Sequence, residues 1–178
     1  MKKQVTQLMI AVAGLSVAPM VFAQAAPGTG QVTFNGELID DTCVINAGDD
    51  DKTVTLPTLS TQSLVAAGQT AGSRMFEISV SQCPATLTNV AAHFETTNMD
   101  PATRNAINQA STSPASNVEV QLLDSDGNTP ILLGSTGSFV PIASNGTATM
   151  NYGGRYYATN KTTAGNVTAV VRYTLAYQ

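Results

Sequence analysis

Short runs of alternating apolar and polar residues at sandwich-like spacing, almost no helical periodicity, and one cysteine pair joining the first run to a central one predict an all-β chain, an immunoglobulin-like sandwich. No internal repeat interrupts this pattern, so a single domain is expected.

The chain opens with Lys2 and Lys3, then an apolar run from Leu8 to Phe22 broken by Gly14, Ser16 and Pro19, and closes that run on Val21-Phe22-Ala23. Small residues after a short apolar stretch with a basic start predict a secretory signal peptide over residues 1–23. A transmembrane anchor fits less well, because the run is short for a bilayer span and no charged flank follows it. Removing 23 of the 178 residues leaves 155, enough for a real core. Losing the two lysines moves the formal charge from −4 to −6. An acidic chain without a basic run is a poor candidate for nucleic acid, and no membrane insertion is expected.

Both cysteines, Cys43 and Cys83, fall in the part expected to be exported, where a disulfide is the default state of two thiols. Closing a loop of this length stabilises by roughly 4 kcal/mol in the chain-entropy account.

Residues 24–34 form an arm too poor in apolar surface to pack on itself and rich enough in glycine to remain mobile. Its parity carries through nonetheless: Ala26, Gly28, Gly30, Val32 and Phe34 share one face of an extended chain, continued by Gly36 and Leu38. Such an arm becomes a strand when a sheet edge is offered. Residues 35–178 form the domain, with Val32 to Ile45 expected as its first strand. Asp49-Asp50-Asp51 makes an acidic tip; lacking the spacing of a calcium loop, it reads as a solvated turn.

One short helix is expected between Ser60 and Gly68, capped by Thr61 or Ser63 with Leu64 to Ala67 as its body. Phe76, Ile78 and Val80 then alternate with Glu77, Ser79 and Ser81 up to Cys83, and Pro84 ends that strand. Val90, Ala92 and Phe94 form the next, with His93 exposed on the opposite face. Thr96 to Asn117 is polar and predicts a long surface loop with a helical turn near Ala106. Val118, Val120 and Leu122 lead through a hairpin turn at Ser125 to Asn128 into Ile131 to Leu133. Thr147 to Thr159 alternates again, with Gly153-Gly154 expected to permit a bulge or bend.

The last stretch, Gly165 to Gln178, alternates along its whole length: Val167, Ala169, Val171, Tyr173, Leu175 and Tyr177 on one face, mostly polar residues on the other. Nothing after it can pair with its second edge. A long apolar-faced strand with an open edge is a hazard that proteins cover. Either a distant part of the same chain or another chain must supply the missing partner.

Catalysis finds no foothold. His93 is the sole histidine and stands in no motif with a nucleophile, Gly28-Thr29-Gly30 precedes a strand instead of following one, and no set of metal ligands is spaced for binding. Neither an enzyme nor a cofactor or metal protein is expected; an interaction protein remains.

Several motifs in order make that specific: Val32-Thr33-Phe34-Asn35-Gly36, then Asp40 and Cys43-Val44-Ile45, then Phe76 to Cys83, Val118 to Leu122 with Asp126-Gly127, Tyr156-Tyr157-Ala158-Thr159, and finally Ala164-Gly165 with Tyr177 penultimate. This series resembles the structural subunits of chaperone-usher fimbriae, of the type 1 and P pilus kind, over essentially the whole exported chain. The resemblance implies an immunoglobulin-like domain lacking its seventh strand, with a groove beside the C-terminal strand formed by Val167, Ala169, Val171, Tyr173, Leu175, Tyr177 and Gln178. It implies three partners: a periplasmic chaperone that lends a strand and holds the carboxylate of Gln178, an outer-membrane usher, and neighbouring subunits of a homopolymer. Each subunit would donate Ala26, Gly28, Gly30, Val32 and Phe34 to the next, Gly30 matching the arm glycine of the family. The implied location is the cell-surface fimbria, reached through the periplasm, and the implied role is support of adhesion. An adhesin would need a receptor domain ahead of this one, and this chain is short for two domains and has no tryptophan. A free periplasmic immunoglobulin-like protein leaves the arm's parity unexplained.

Overall fold

The computed structural model describes residues 30–38 and 42–178. It divides into two units, Met1–Leu38 and Ile39–Gln178. The signal peptide expected over residues 1–23 and the arm residues Ala26 and Gly28 lie outside the described residues.

The second unit consists of two antiparallel sheets. In chain order its strands are β1 (Val44–Ile45), β2 (Thr70–Ser81), β3 (Asn89–Phe94), β4 (Ala106–Ile107), β5 (Val118–Leu123), β6 (Pro130–Ile131), β7 (Val140–Pro141), β8 (Ala148–Ala158) and β9 (Tyr173–Tyr177). The larger sheet runs β1-β2-β8-β5-β4, with β6 also on β5; the smaller runs β7-β3-β9.

The alternating apolar residues meet between these layers. Ile78, Val80, Leu122 and Met150 from the large sheet face Val90, Ala92 and Phe94 from the small one, all buried. Tyr152 fastens the two layers: its ring meets Phe94 edge-on at 5.1 Å, and its hydroxyl accepts the Ala92 N–H at 2.9 Å. A phenol reaching a backbone donor is how a buried tyrosine satisfies its polar end. Cys43 and Cys83 are joined, tying the start of β1 to the chain just beyond β2.

Several expectations need correction. Of the first strand expected over Val32 to Ile45, only Val44–Ile45 enters a ladder among the described residues, and residues 30–38 carry no regular structure. A single extended segment has no ladder to satisfy its backbone and does not hold as a strand by itself. The helix expected over Leu64 to Ala67 is instead one 3-10 turn, Thr61–Ser63, capped by Ser60. Leu64 turns inward and is buried, while the Gln69 side chain accepts the N–H groups of Val65 and Ala66 that a helix would have used. The helical turn expected near Ala106 is the short strand β4, drawn onto β5 by pairing with Val120 and Glu119.

The bulge expected at Gly153-Gly154 lies elsewhere. Both glycines stay in register with β2 and β5, and the Met75 sulfur occupies the space a side chain at Gly153 would need. The irregularity falls between Ala71 and Arg74, where Gly72 adopts φ +68°, a conformation side chains disfavour. His93 is half-buried, its Nδ1 paired with the Thr136 hydroxyl at 2.9 Å.

Under the loop between β3 and β5 lies a polar cluster that alternation alone does not explain. Glu119 is 5% exposed and has no basic partner in contact among the described residues; it accepts from the Thr103 hydroxyl at 2.6 Å and Asn105 Nδ2 at 3.1 Å. Gln121 donates to Asn105 and accepts from Arg155, which completes the chain of bonds. Burial pushes the Glu119 carboxyl up, the two hydrogen bonds oppose that, and the nearby Asp100 adds to it. The folded state therefore binds this proton more tightly than the unfolded one. The unfavourable contribution of Glu119 is full above its folded pKa and disappears as pH falls below its unfolded value. Glu119→Gln is expected to remove that contribution, so denaturant midpoints of wild type and variant diverge as pH rises through this window and converge in acid. Asp49 and Asp126, both held low by hydrogen bonds, act in the opposite direction and are common to both proteins, whereas Asp100, also held low, feels Glu119 itself.

Candidate functional site

The C-terminal segment forms one wall of a groove. Its side-chain parity is as expected: Val167, Ala169, Val171, Tyr173, Leu175 and Tyr177 are half-buried, and all but Val167 pack on the core. Only Tyr173–Tyr177 is in a ladder, however, so the strand is shorter than its alternation suggests.

The backbone of β9 is satisfied on one side. Glu95 N–H donates to Arg172 O, and Asn89 and Gln178 exchange bonds in both directions, so residues 172, 174, 176 and 178 direct their backbone groups toward β3. At period two, those of Val171, Tyr173, Leu175 and Tyr177 point the other way. No strand pairs with that edge among the described residues, since β9 is the margin of its sheet.

Across from it runs the segment 53–56, also extended and outside any ladder. Val54 and Leu56 turn inward while Thr53 and Thr55 are exposed. Between these walls lies a groove of about 930 Å³, bounded by Val167 to Tyr173 on one side and Asp49 to Leu56 on the other. Phe76 and Ile78 of β2, Val120 and Leu122 of β5, and Phe94 of β3 form its floor. Ile78, Leu122 and Phe94 are buried by their own neighbours, but Phe76 and Val120 are only half-covered. Apolar side chains at the centre of a sandwich are open here along one line, and the walls beside that line have unpaired backbone.

Two tyrosines close one end. The Tyr173 hydroxyl donates to Asp49 O at 2.8 Å, and the Tyr177 hydroxyl accepts from Cys43 N–H at 2.9 Å while paired with the Thr42 hydroxyl at 2.5 Å. Burial, then the charges of Asp49 and Asp50, push the Tyr173 phenol up to about 12, so it remains a donor throughout the physiological range.

Gly165 sets where that wall begins. A side chain there would fall within 2.7 Å of backbone atoms of Ser113, Pro114 and Ala115, and Asn166 bridges Pro114 in parallel. Gln178, at the other end of the wall, is exposed and accepts from the Thr88 hydroxyl at 2.7 Å. Alternation located the C-terminal wall. It missed the opposing wall at 53–56 and the bond of Tyr173 to Asp49; the signal for the first was the alternation of Thr53-Val54-Thr55-Leu56, too short to mark a strand.

Within the first unit, Gly30, Val32 and Phe34 are exposed, Phe34 at 90% and Val32 at 76%. Large apolar side chains left in water at the same parity mark a segment suited to burial elsewhere.

An apolar groove with unpaired backbone on both walls defines a binding module for extended chain. The chain belongs to the fimbrial protein family, whose model matches residues 32–178. It is 41% identical over 172 residues to the major fimbrial subunit SMF-1 of Stenotrophomonas maltophilia (strain K279a), covering 92% of this chain and 99% of that one. It is likewise 41% identical over 158 residues to the F17 fimbrial protein of Escherichia coli, with 84% and 87% covered. In fold it is similar to the P pilus rod subunit PapA, with a TM-score of 0.60 at 17% identity over 76% of this chain and 99% of that one. The protein is thus a non-enzymatic structural subunit of a chaperone-usher fimbria at the cell surface.

Proposed function

We propose that the groove receives the N-terminal arm of a neighbouring copy of this chain, and that repetition of this contact builds the fimbria head to tail. The domain is then an immunoglobulin-like sandwich short of its seventh strand, completed by donor-strand complementation. Residues 24–34 are the donated strand, with Ala26, Gly28, Gly30, Val32 and Phe34 facing the groove, and the domain spans 35–178. The observation that carries this reading is the pairing of opposites: two unpaired walls over a half-covered apolar floor, and an arm whose exposed apolar residues share one parity.

An added strand satisfies the idle N–H and C=O groups of Val171 and Tyr173 while its alternate side chains cover Phe76 and Val120. Because donor and acceptor are different parts of one molecule, the contact is heterologous and does not close on itself. Before assembly the same edge is an aggregation hazard, which assigns its temporary cover to a periplasmic chaperone gripping the strand from Val167 to Gln178, and the exchange to an outer-membrane usher. The fimbria so built supports adhesion.

A synthetic peptide of residues 24–36 added to the chaperone-bound subunit is expected to displace the chaperone and yield a subunit-peptide complex on a native gel. If the peptide leaves the complex untouched while a chaperone-free subunit also fails to bind it, strand donation is wrong.

Tyr173 adds a second check. Its bond to Asp49 spans the gap between the walls, so Tyr173→Phe removes a hydrogen bond worth about 1 kcal/mol. Peptide insertion is expected to accelerate by up to roughly fivefold on that figure. Slower insertion would mean that the bond shapes the groove for the strand instead of holding its walls together.

A further inference from the structure

The exported part of the chain contains two Asn-Gly pairs, Asn35-Gly36 and Asn145-Gly146, and the fold treats them in opposite ways. Asn-Gly is the dipeptide most open to spontaneous loss of the side-chain amide, because glycine puts no Cβ in the path of the attacking backbone nitrogen and leaves the chain free to bend. Reaction needs that nitrogen to approach the asparagine Cγ, so a clamped turn suppresses it.

Asn145-Gly146 is clamped. Gly146 N–H donates to Ala143 O at 2.8 Å, Gly146 O accepts from Cys83 N–H at 3.0 Å, and Asn145 Oδ1 accepts from the Thr147 hydroxyl at 2.8 Å. Both faces of the peptide unit and the side chain itself are held. Asn35-Gly36 is the contrary case: both residues are exposed, no hydrogen bond to either forms among the described residues, and a Cβ at Gly36 would meet nothing within 4 Å.

We propose that Asn35-Gly36 is a deamidation site of the unassembled subunit, at the base of the arm. The Gly36 nitrogen, giving up its proton to water, bonds to Asn35 Cγ. The Cγ–Nδ2 bond breaks and ammonia leaves, which closes a five-membered imide. Water opens that ring at either carbonyl to give aspartate or isoaspartate. The isoaspartate route inserts one methylene into the backbone, which throws the alternation of Phe34 and Val32 out of step with everything beyond. The isoaspartate lies just after the donated strand 24–34, so the arm keeps its own parity but is joined to the domain by a longer, re-aimed link. This consequence rests on the arm-donation reading; the chemical step does not. The pair directly follows the donated strand 24–34, so seating the arm fixes its N-terminal side and slows the bend that brings the Gly36 nitrogen to Asn35 Cγ; the site then records time spent outside the fibre.

The test uses the full exported chain and fibres sheared from cells, both aged in mildly alkaline buffer and read by peptide mapping for the acid products and for isoaspartate. In the free chain, conversion at Asn35 is expected to exceed that at Asn145 by more than about tenfold, because Asn145 must wait for its hydrogen-bonded turn to open. Gly36→Ala is expected to abolish the difference. Equal rates at Asn35 and Asn145 in the wild-type chain overturn the site. Slow conversion at Asn35 in fibres supports protection by the seated arm. Fast conversion in both forms leaves the site in place and overturns protection, which separates failure of the assembly reading from failure of the chemistry.

Discussion

Arm peptides carrying Gly30→Asn are expected to enter the groove slower than wild type by roughly 5- to 150-fold, from the 1–3 kcal/mol that overpacking a preformed site typically costs. On the donation reading proposed above, Gly30 shares the parity of Val32 and Phe34, so its Cα would face the groove and a side chain there would displace atoms of the floor. The damage is selective. Gly30 is exposed and a Cβ there would meet nothing within 4 Å among the described residues, so the substitution is expected to leave the fold and chaperone binding unchanged. Native-gel exchange with full chains carrying Gly30→Asn should then accumulate chaperone complexes and few fibres. Gly28→Asn is expected to be milder. Equal rates for the wild-type and Gly30→Asn peptides would falsify the assigned register.

Deletion of Thr174 to Gln178 is expected to eliminate the subunit from the periplasm. The ladder that β3 makes with β9, from Val90↔Tyr177 to Phe94↔Tyr173, loses all but its last pair, and β3 becomes an open edge beside the fully buried Ala91 and Ala92. The partial burial of Leu175 and Tyr177 is lost as well, for Leu175 less than the roughly 1.5–3 kcal/mol that full burial of a leucine contributes. Against a total stability of roughly 5–15 kcal/mol, these losses together with an exposed edge direct the chain to aggregation and proteolysis. Immunoblots of periplasmic extracts read the outcome directly. A truncated chain at wild-type level would show that neither the ladder to β3 nor the wall of the groove sustains the subunit.

Most of the large sheet was legible because its main strands are long and place apolar residues at every second position, even where, as in β5, the polar face is buried too. β2, β5 and β8 announce themselves by strict alternation, and their disulfide partner positions follow from two thiols in an exported chain. The short strands were less so: the hairpin turn at Ser125 to Asn128 marked Pro130–Ile131, but nothing marked Ala106–Ile107 or Val140–Pro141. Ala106–Ile107, Pro130–Ile131 and Val140–Pro141 are two residues each, below the length at which a period can be read, and they exist because a longer neighbour offers them a ladder. The same logic removed the helix at Leu64 to Ala67: Leu64 gains more from burial in the core than a short, marginal helix returns.

The groove divides in the same way. That Val167 to Tyr177 turns an apolar face to the core, and that the arm matches it in parity, follows from residue order alone, because side chains alternate along any extended chain whatever surrounds it. Which edge of that strand stays unpaired, that Val54 and Leu56 form the facing wall, that Phe76 and Val120 are left half-covered between them, and that Tyr173 reaches Asp49 across the gap were decided only by the packing of two sheets. Those contacts join residues distant in the chain, and no local period encodes the distance between walls.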